Sequence, residues 1–279
     1  MEHAPAVPSL RVTHALFSRA VVLVALAVLS NASIAAAASP YELRSKREWT
    51  LVGSGVAIGS VALMLHARVD PLTVDEVNAL DVDDINSFDR NGIHPYEDTP
   101  SSDIMAVVSY AAPLALLANA DMRADWQTLG VMWGEVTALN LAVNSLVKVT
   151  VLRSRPYAYD PAAPIEKRTS TGARMSFYSG HTTGAAANCF FVARVCSDYL
   201  DNRRLEALIW TGAIVYPAVV GYLRIDSGFH FRTDVIAGYA MGAAIGYFVP
   251  GLHRSGDDRV SLQTMRILDA PALGVRVSF

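Results

Sequence analysis

Six apolar stretches run along this chain, at about Thr50–Ala67, Ile104–Ala120, Thr128–Val147, Thr182–Val195, Leu208–Leu223 and Val235–Pro250. Several approach the ~20 residues that cross the hydrocarbon of a bilayer, while others stop at about 14 to 17. Gly and Ala recur where helices can approach closely, as in GSGVAIGS (Gly53 to Ser60) and GYAMGAAIG (Gly238 to Gly246). The pattern predicts an all-α fold, a membrane-embedded bundle of about six helices. A soluble protein with buried helices is the alternative reading of the same pattern.

The polar intervals are unequal. Residues 68–103 carry an acidic run, DEVNALDVDDINSFDR, and residues 157–178 form a loop rich in Tyr and Pro. The acidic run lacks the ligand spacing and central glycine of a calcium loop, so it reads as a solvated surface segment. The second loop holds Tyr157, Tyr159, Lys167, Arg168 and Arg174, a composition suited to covering a site and choosing its substrate. Beyond Gly251 the chain turns polar and ends in LGVRVSF. That alternation resembles a strand but is short, and an ordinary tail is the expectation.

At the N-terminus, Arg11 and Arg19 precede an apolar run from Ala20 to Leu29 and then SIAAAASP. Basic flank, short apolar core and small-residue end make a secretory leader with cleavage near Ala37 or Ala38, or else an uncleaved anchor. The boundaries that follow are a leader over 1–38, a first helix with the acidic loop over 39–103, a catalytic bundle over 104–251 and a tail over 252–279.

Composition sharpens the picture. Of 279 residues, 52% are hydrophobic, more than an ordinary soluble enzyme carries. A formal charge of −3 argues against a broad nucleic-acid-binding face. Cys189 and Cys196 sit seven apart in one apolar stretch, which on a helix separates their Cα atoms by roughly 10 Å, beyond disulfide reach. No cysteine–histidine metal spacing is present, and neither metal nor cofactor is expected.

Chemistry concentrates in three short segments: KVTVLRSRP (Lys148 to Pro156), YSGH (Tyr178 to His181) and RIDSGFHFRTD (Arg224 to Asp234). Each lies at the end of an apolar stretch. Helices reverse direction at each crossing, so the end of the third stretch, the start of the fourth, the end of the fifth and the start of the sixth share one face. That face gathers Lys148, Arg155, Ser179, Gly180, His181, Arg224, His230 and Asp234. Cations can neutralise phosphate oxygens, a helix start at Ser179-Gly180-His181 adds N–H donors, and two histidines with a carboxylate supply attack and protonation. His230 and Asp234, four apart, would face the same side of a helix. Arg153 and Arg232 read as loop or headgroup-facing cations. Glu135, Asn140 and Asn144, inside the third stretch, read as structural hydrogen-bonding groups.

These residues resemble the type-2 phosphatidic acid phosphatase and vanadium haloperoxidase superfamily. Lys148 with Arg155-Pro156 matches K-x6-R-P, Ser179-Gly180-His181 matches P-S-G-H, and Arg224, His230 and Asp234 fit S-R-x5-H-x3-D. Tyr178 stands where proline is usual and Leu223 where serine is usual. The resemblance implies a metal-independent phosphatase in which His230 is the nucleophile, Asp234 orients it and His181 is the general acid. Lys148, Arg155, Arg224, Ser179 and Gly180 would then bind phosphate. It also implies a lipid phosphate or diphosphate as substrate, the membrane as the partner surface and no nucleic acid. A secreted soluble acid phosphatase, a vanadate haloperoxidase and a non-catalytic scaffold keeping the pocket are the alternatives.

Sidedness is not fixed by these cues. Arg44, Lys46, Arg47, Arg203 and Arg204 mark the opposite face as cytoplasmic, which puts the site in the periplasm, as the resemblance also implies. A cleaved leader followed by six crossings points the other way.

Overall fold

The computed structural model describes residues 39–98, 100–255, 260–267 and 270–277, and the leader over 1–38 lies outside them. All six apolar stretches are helices: α1 (Ser45–His66), α2 (Ser101–Ala111), α3 (Trp126–Val151), α4 (Gly180–Tyr199), α5 (Arg203–Asp226) and α6 (Arg232–Leu252). A 3-10 stretch, Ala112–Ala118, prolongs α2, with Pro113 near its start. Proline has no N–H to donate into an α-helix, so the coil tightens there.

Five segments are long and apolar enough to cross a membrane: Ser45–His66, Ser101–Ala118, Trp126–Ala158, Arg203–Asp226 and Arg232–Leu252. Their outward faces are apolar, with Met64, Val107, Leu208, Tyr222, Ile236 and Phe248 exposed. The chain is an integral membrane protein.

Helix α4 is not among those five, and its position explains why. It packs against α2, α3, α5 and α6, and its Ala185, Ala186, Ala187 and Phe191 are wholly buried. Surrounded by protein, α4 can carry polar groups that lipid would penalise. Thr183 Oγ1 donates to Asn140 Oδ1 at 2.8 Å, and Trp133 Nε1 donates to Asn188 Oδ1 at 2.8 Å.

A glycine seam joins α4 to α6. Gly238, Gly242 and Gly246 recur every four residues, and a Cβ on each would collide with Ser179, Thr183 and Ala187 respectively. Small residues at this spacing let the backbones meet, which holds helices together where both solvent and core are apolar. On the other side, α1 lies along α3, burying Val52, Gly55, Gly59 and Ala62.

Two loops cap the end of the bundle that holds the three sequence motifs. Leu72 and Val77 of the first pack with Tyr157, Ala163, Ala173 and Phe229 in one apolar cluster. Tyr96 N donates to Asp160 Oδ2 at 3.0 Å, and Arg174 pairs with Glu76, locking the loops together. Gly228, at φ +70°, completes the join; a Cβ there would lie 2.8 Å from His94 O. The acidic run is therefore part of a structured lid.

At the C-terminus, β1 (Val260–Ile267) and β2 (Ala270–Val277) form an antiparallel pair, from Val260↔Val277 to Ile267↔Ala270. The expected ordinary tail is thus a hairpin. The bundle itself is all helical.

Candidate active site

The residues singled out by the motifs do converge at one end of the bundle. Ser179 is the N-cap of α4: its Oγ accepts from Thr182 N, and its own N–H donates to Asp234 O at 3.0 Å. That backbone bond ties the start of α4 to the start of α6. Gly180 packs closely against α3, where a Cβ would stand 3.1 Å from Asn144 Oδ1 and 3.8 Å from Lys148 Cε. Asn144 Nδ2 donates to Tyr178 O at 3.0 Å, and Lys148 Nζ donates to Met175 O at 2.9 Å, so α3 braces the turn. Asn140 and Asn144 have the structural roles expected of them. Glu135 lies elsewhere, and neither of its oxygens has a hydrogen-bond partner.

His230 sits at the centre, 1% exposed. Arg155 Nη1 lies 3.4 Å from its Nε2, and Asp234 Oδ2 lies 3.5 Å from its Nδ1. Burial first, then the charges of Arg155, Lys148, Arg224 and His181, hold its pKa well below the ordinary imidazole value. The ring is therefore neutral, with Nε2 turned toward the cations.

The proximity of His230 and Asp234 does not arise from a shared helical face. Helix α6 begins only at Arg232, so His230 precedes it. Asp234 instead folds back over the helix start, where its Oδ2 accepts from Phe231 N at 2.9 Å and from Ser176 Oγ at 2.5 Å. Capping, rather than helical periodicity, puts the carboxylate beside the imidazole.

His181 and Arg224 approach from the more open side, and Asp103 links them. His181 Nε2 is 2.9 Å from Asp103 Oδ1, and Arg224 Nη1 is 3.0 Å from the same oxygen. Arg224 also donates to Ser102 Oγ at 3.0 Å and stacks over the Phe229 ring at 3.9 Å. Lys167 from the covering loop lies 5.0 Å from the centre of that ring and 5.5 Å from Tyr96.

Arg153 is not a headgroup-facing cation. Its Nη1 donates to Asp234 Oδ1 at 2.8 Å and Thr233 Oγ1 at 2.7 Å, while Nη2 donates to Asp89 Oδ2 at 2.7 Å. Its guanidinium stacks on Phe231 at 4.0 Å. Asp89 comes from the acidic run yet is fully buried, and it also accepts from Thr233 N at 2.9 Å. Arg232 donates to Asn91 O at 3.1 Å and Phe88 O at 3.4 Å, holding the same loop. The solvated reading of this run fails at Asp89, because two helix-start groups and an arginine satisfy its charge inside the protein.

Burial alone would raise the Asp89 pKa, but hydrogen bonds from Thr233, Arg153 and Asn86 outweigh it and hold the carboxyl below its ordinary value. A depressed folded pKa contributes stability that is present above the unfolded value of about 4 and lost as pH falls through the folded value. Thermal unfolding in detergent should therefore show wild type losing stability below about pH 4, with Asp89→Asn flatter over that range. An unchanged acid limb in that variant would remove Asp89 from the account.

The chain is also similar to known proteins. Residues 129–255 match the model of the PAP2 superfamily. Over 78 residues, 28% of this chain, it is 37% identical to a lipid A 4'-phosphatase of Porphyromonas gingivalis, of which the match spans only 30%. Over 147 residues, 51% of the chain, it is 28% identical to phosphatidylglycerophosphatase B of Bacillus subtilis, covering 68% of that protein. A solved transmembrane PAP2-type phosphatidylglycerolphosphate phosphatase from Bacillus subtilis aligns over 85% of this chain and 94% of its own. At 18% identity and a TM-score of 0.36, that alignment is too loose to position a residue. Lys148, Arg155, Ser179, His181, Arg224, His230 and Asp234 all fall within the segment that matches the PAP2 superfamily.

Proposed function

We propose that this protein hydrolyses a membrane lipid phosphate or diphosphate through a phosphohistidine at His230. The observation that carries this is the two-sided setting of His230: Nε2 faces Arg155 at 3.4 Å, and Nδ1 faces Asp234 at 3.5 Å. A proton on Nδ1 leaves the Nε2 lone pair free to attack phosphorus, and Asp234 stabilises the imidazolium that forms.

Attack forms the Nε2–P bond and breaks the bond from phosphorus to the lipid oxygen. Lys148, Arg155 and Arg224 take up charge on the non-bridging oxygens, and N–H groups at the start of α4 assist them. His181 gives its Nε2 proton to the departing alkoxide. The neutral His181 then takes a proton from water, which attacks phosphorus, breaks the P–N bond and releases inorganic phosphate with His230 restored. Before substrate enters, Asp103 holds His181 and Arg224 in place with one carboxylate oxygen, much as a phosphate oxygen would.

The lipid class rests on the membrane belt and on both curated relatives, whose names specify lipid phosphatases. A bundle buried to its caps puts the site at headgroup depth, where a lipid offers its phosphate while its tails stay in hydrocarbon. The basic residues at the starts of α1 and α5 favour a cytoplasmic far end, which faces the site to the periplasm.

The test is hydrolysis of a lipid monophosphate in mixed micelles, with vanadate or chelator added during the assay. Vanadate should inhibit competitively as a mimic of the five-coordinate transition state. Brief chelation should leave initial rates unchanged, because side chains supply the neutralising charge. Full activity in millimolar vanadate, or a loss in chelator restored by magnesium, overturns the mechanism.

A further inference from the structure

At the end of the bundle away from the phosphate site, Glu48 of α1, Glu135 of α3 and His253 just after α6 point at one another. All three are at most 2% exposed. We infer that they form a binding site for a divalent transition metal of the zinc, manganese or iron(II) class.

The imidazole is set up as a ligand. Its Nδ1 lies 2.8 Å from Val249 O, an acceptor, so Nδ1 carries a proton and Nε2 is the nitrogen turned to the two carboxylates. Nε2 stands 3.0 Å from Glu135 Oε2 and 3.2 Å from Glu48 Oε1. Cis ligands on an ion bound at about 2.0–2.2 Å are separated by about 3.0–3.4 Å, so these spacings suit a shared cation. One ligand atom from each residue lies within 4.8 Å of the others.

The unsatisfied atoms carry the argument further. His253 Nε2, both oxygens of Glu135 and Glu48 Oε2 are buried without a hydrogen-bond partner. Arg47 contributes one cation, with Nη2 2.7 Å and Nε 3.0 Å from Glu48 Oε1. Among the described residues, Glu135 is met by no arginine and faces only the His253 ring, at 3.0 Å, and buried carboxylates need a counter-charge. Two oxygens and one imidazole nitrogen suit first-row transition metals better than calcium, which takes oxygen alone.

Such an ion would staple the first, third and last helices at the end remote from phosphate chemistry. Because the ligands are almost wholly buried, the ion would exchange only when the bundle opens. Brief chelation therefore probes the phosphate chemistry, and prolonged chelation under warming probes this site.

The experiment uses the full chain purified in detergent, with metal content by mass spectrometry and Co2+ spectra after stripping and reloading. About one metal per chain is expected, with ligand-field bands in wild type. Zn2+ should raise the unfolding temperature of the stripped protein. His253→Gln and the near-isosteric Glu135→Gln should each weaken binding by more than ~100-fold, beyond what loss of an outer partner costs. His230→Ala should retain the bands, which separates this site from the phosphate pocket. Absence of metal from wild type together with no Zn2+ stabilisation overturns the inference. So does full binding by both ligand variants, or loss of the bands in His230→Ala.

Discussion

His230→Ala is expected to abolish phosphoenzyme and turnover on every substrate, whereas His181→Ala is expected to fail selectively. In the proposed mechanism, the first variant removes the atom that bonds to phosphorus. The second removes a proton donor, which contributes roughly 10²–10⁴-fold when the leaving group is a poor one. A lipid alkoxide needs that proton, and p-nitrophenolate does not. The His181 variant should therefore regain most of its rate on p-nitrophenyl phosphate, and the His230 variant none. Asp234→Asn should fall between them, since the nucleophile remains while its cation loses stabilisation. Rapid quench at alkaline pH, where phosphohistidine survives, would trap the intermediate in wild type. Turnover of the aryl phosphate by the His230 variant but not by the His181 variant would reverse the assigned roles.

Arg153→Leu should be the most damaging change outside the motif residues. It strips the shared partner from Asp89 and Asp234, both fully buried. Removing one member of a buried ion pair typically costs about 3–5 kcal/mol, because the remaining charge has no water to turn to. Activity should fall as well, since Asp234 loses one of the bonds that hold it beside His230. Arg153→Lys should recover little, because an ammonium lacks the planar fork that reaches Asp89, Thr233 and Asp234 from one position. Equilibrium unfolding in denaturant measures the first effect and kcat the second. A loss under about 1 kcal/mol for Arg153→Leu would mean that Asp89 and Asp234 are satisfied without it.

The helices were legible because each is a long apolar run, and the convergence of the motif residues because they end those runs on alternate crossings. The same reasoning misplaced His230 in α6, since sequence spacing cannot distinguish a residue in a helix from one just before its cap. Asp89 was hidden for a different reason. Within a run of acidic residues, nothing local marks the one that folds inward, and its partners Arg153 and Thr233 lie more than sixty residues away. Asp103 was nearer to being readable, since it opens the second helix on the site face. Its pairing with His181 and Arg224, however, is a product of packing. Glu48, Glu135 and His253 come from three helices, and no spacing rule joins them. The C-terminal hairpin was discounted because a short alternating run has too few residues to separate a strand from a tail.

The glycine seam also bears on the order of events at the ribosome. Helix α4 emerges before α6, and it is the member of the bundle least able to reside in lipid by itself. Its neighbours α2 and α3 are already made, but the face that meets Gly238, Gly242 and Gly246 stays open until the last helix arrives. Synthesis and assembly are thus coupled: the pocket closes only once the final helix has been inserted. A chain cut short before Arg232 would lack both the carboxylate beside His230 and the wall that keeps α4 out of the lipid, so an incomplete product should be inert as well as unstable.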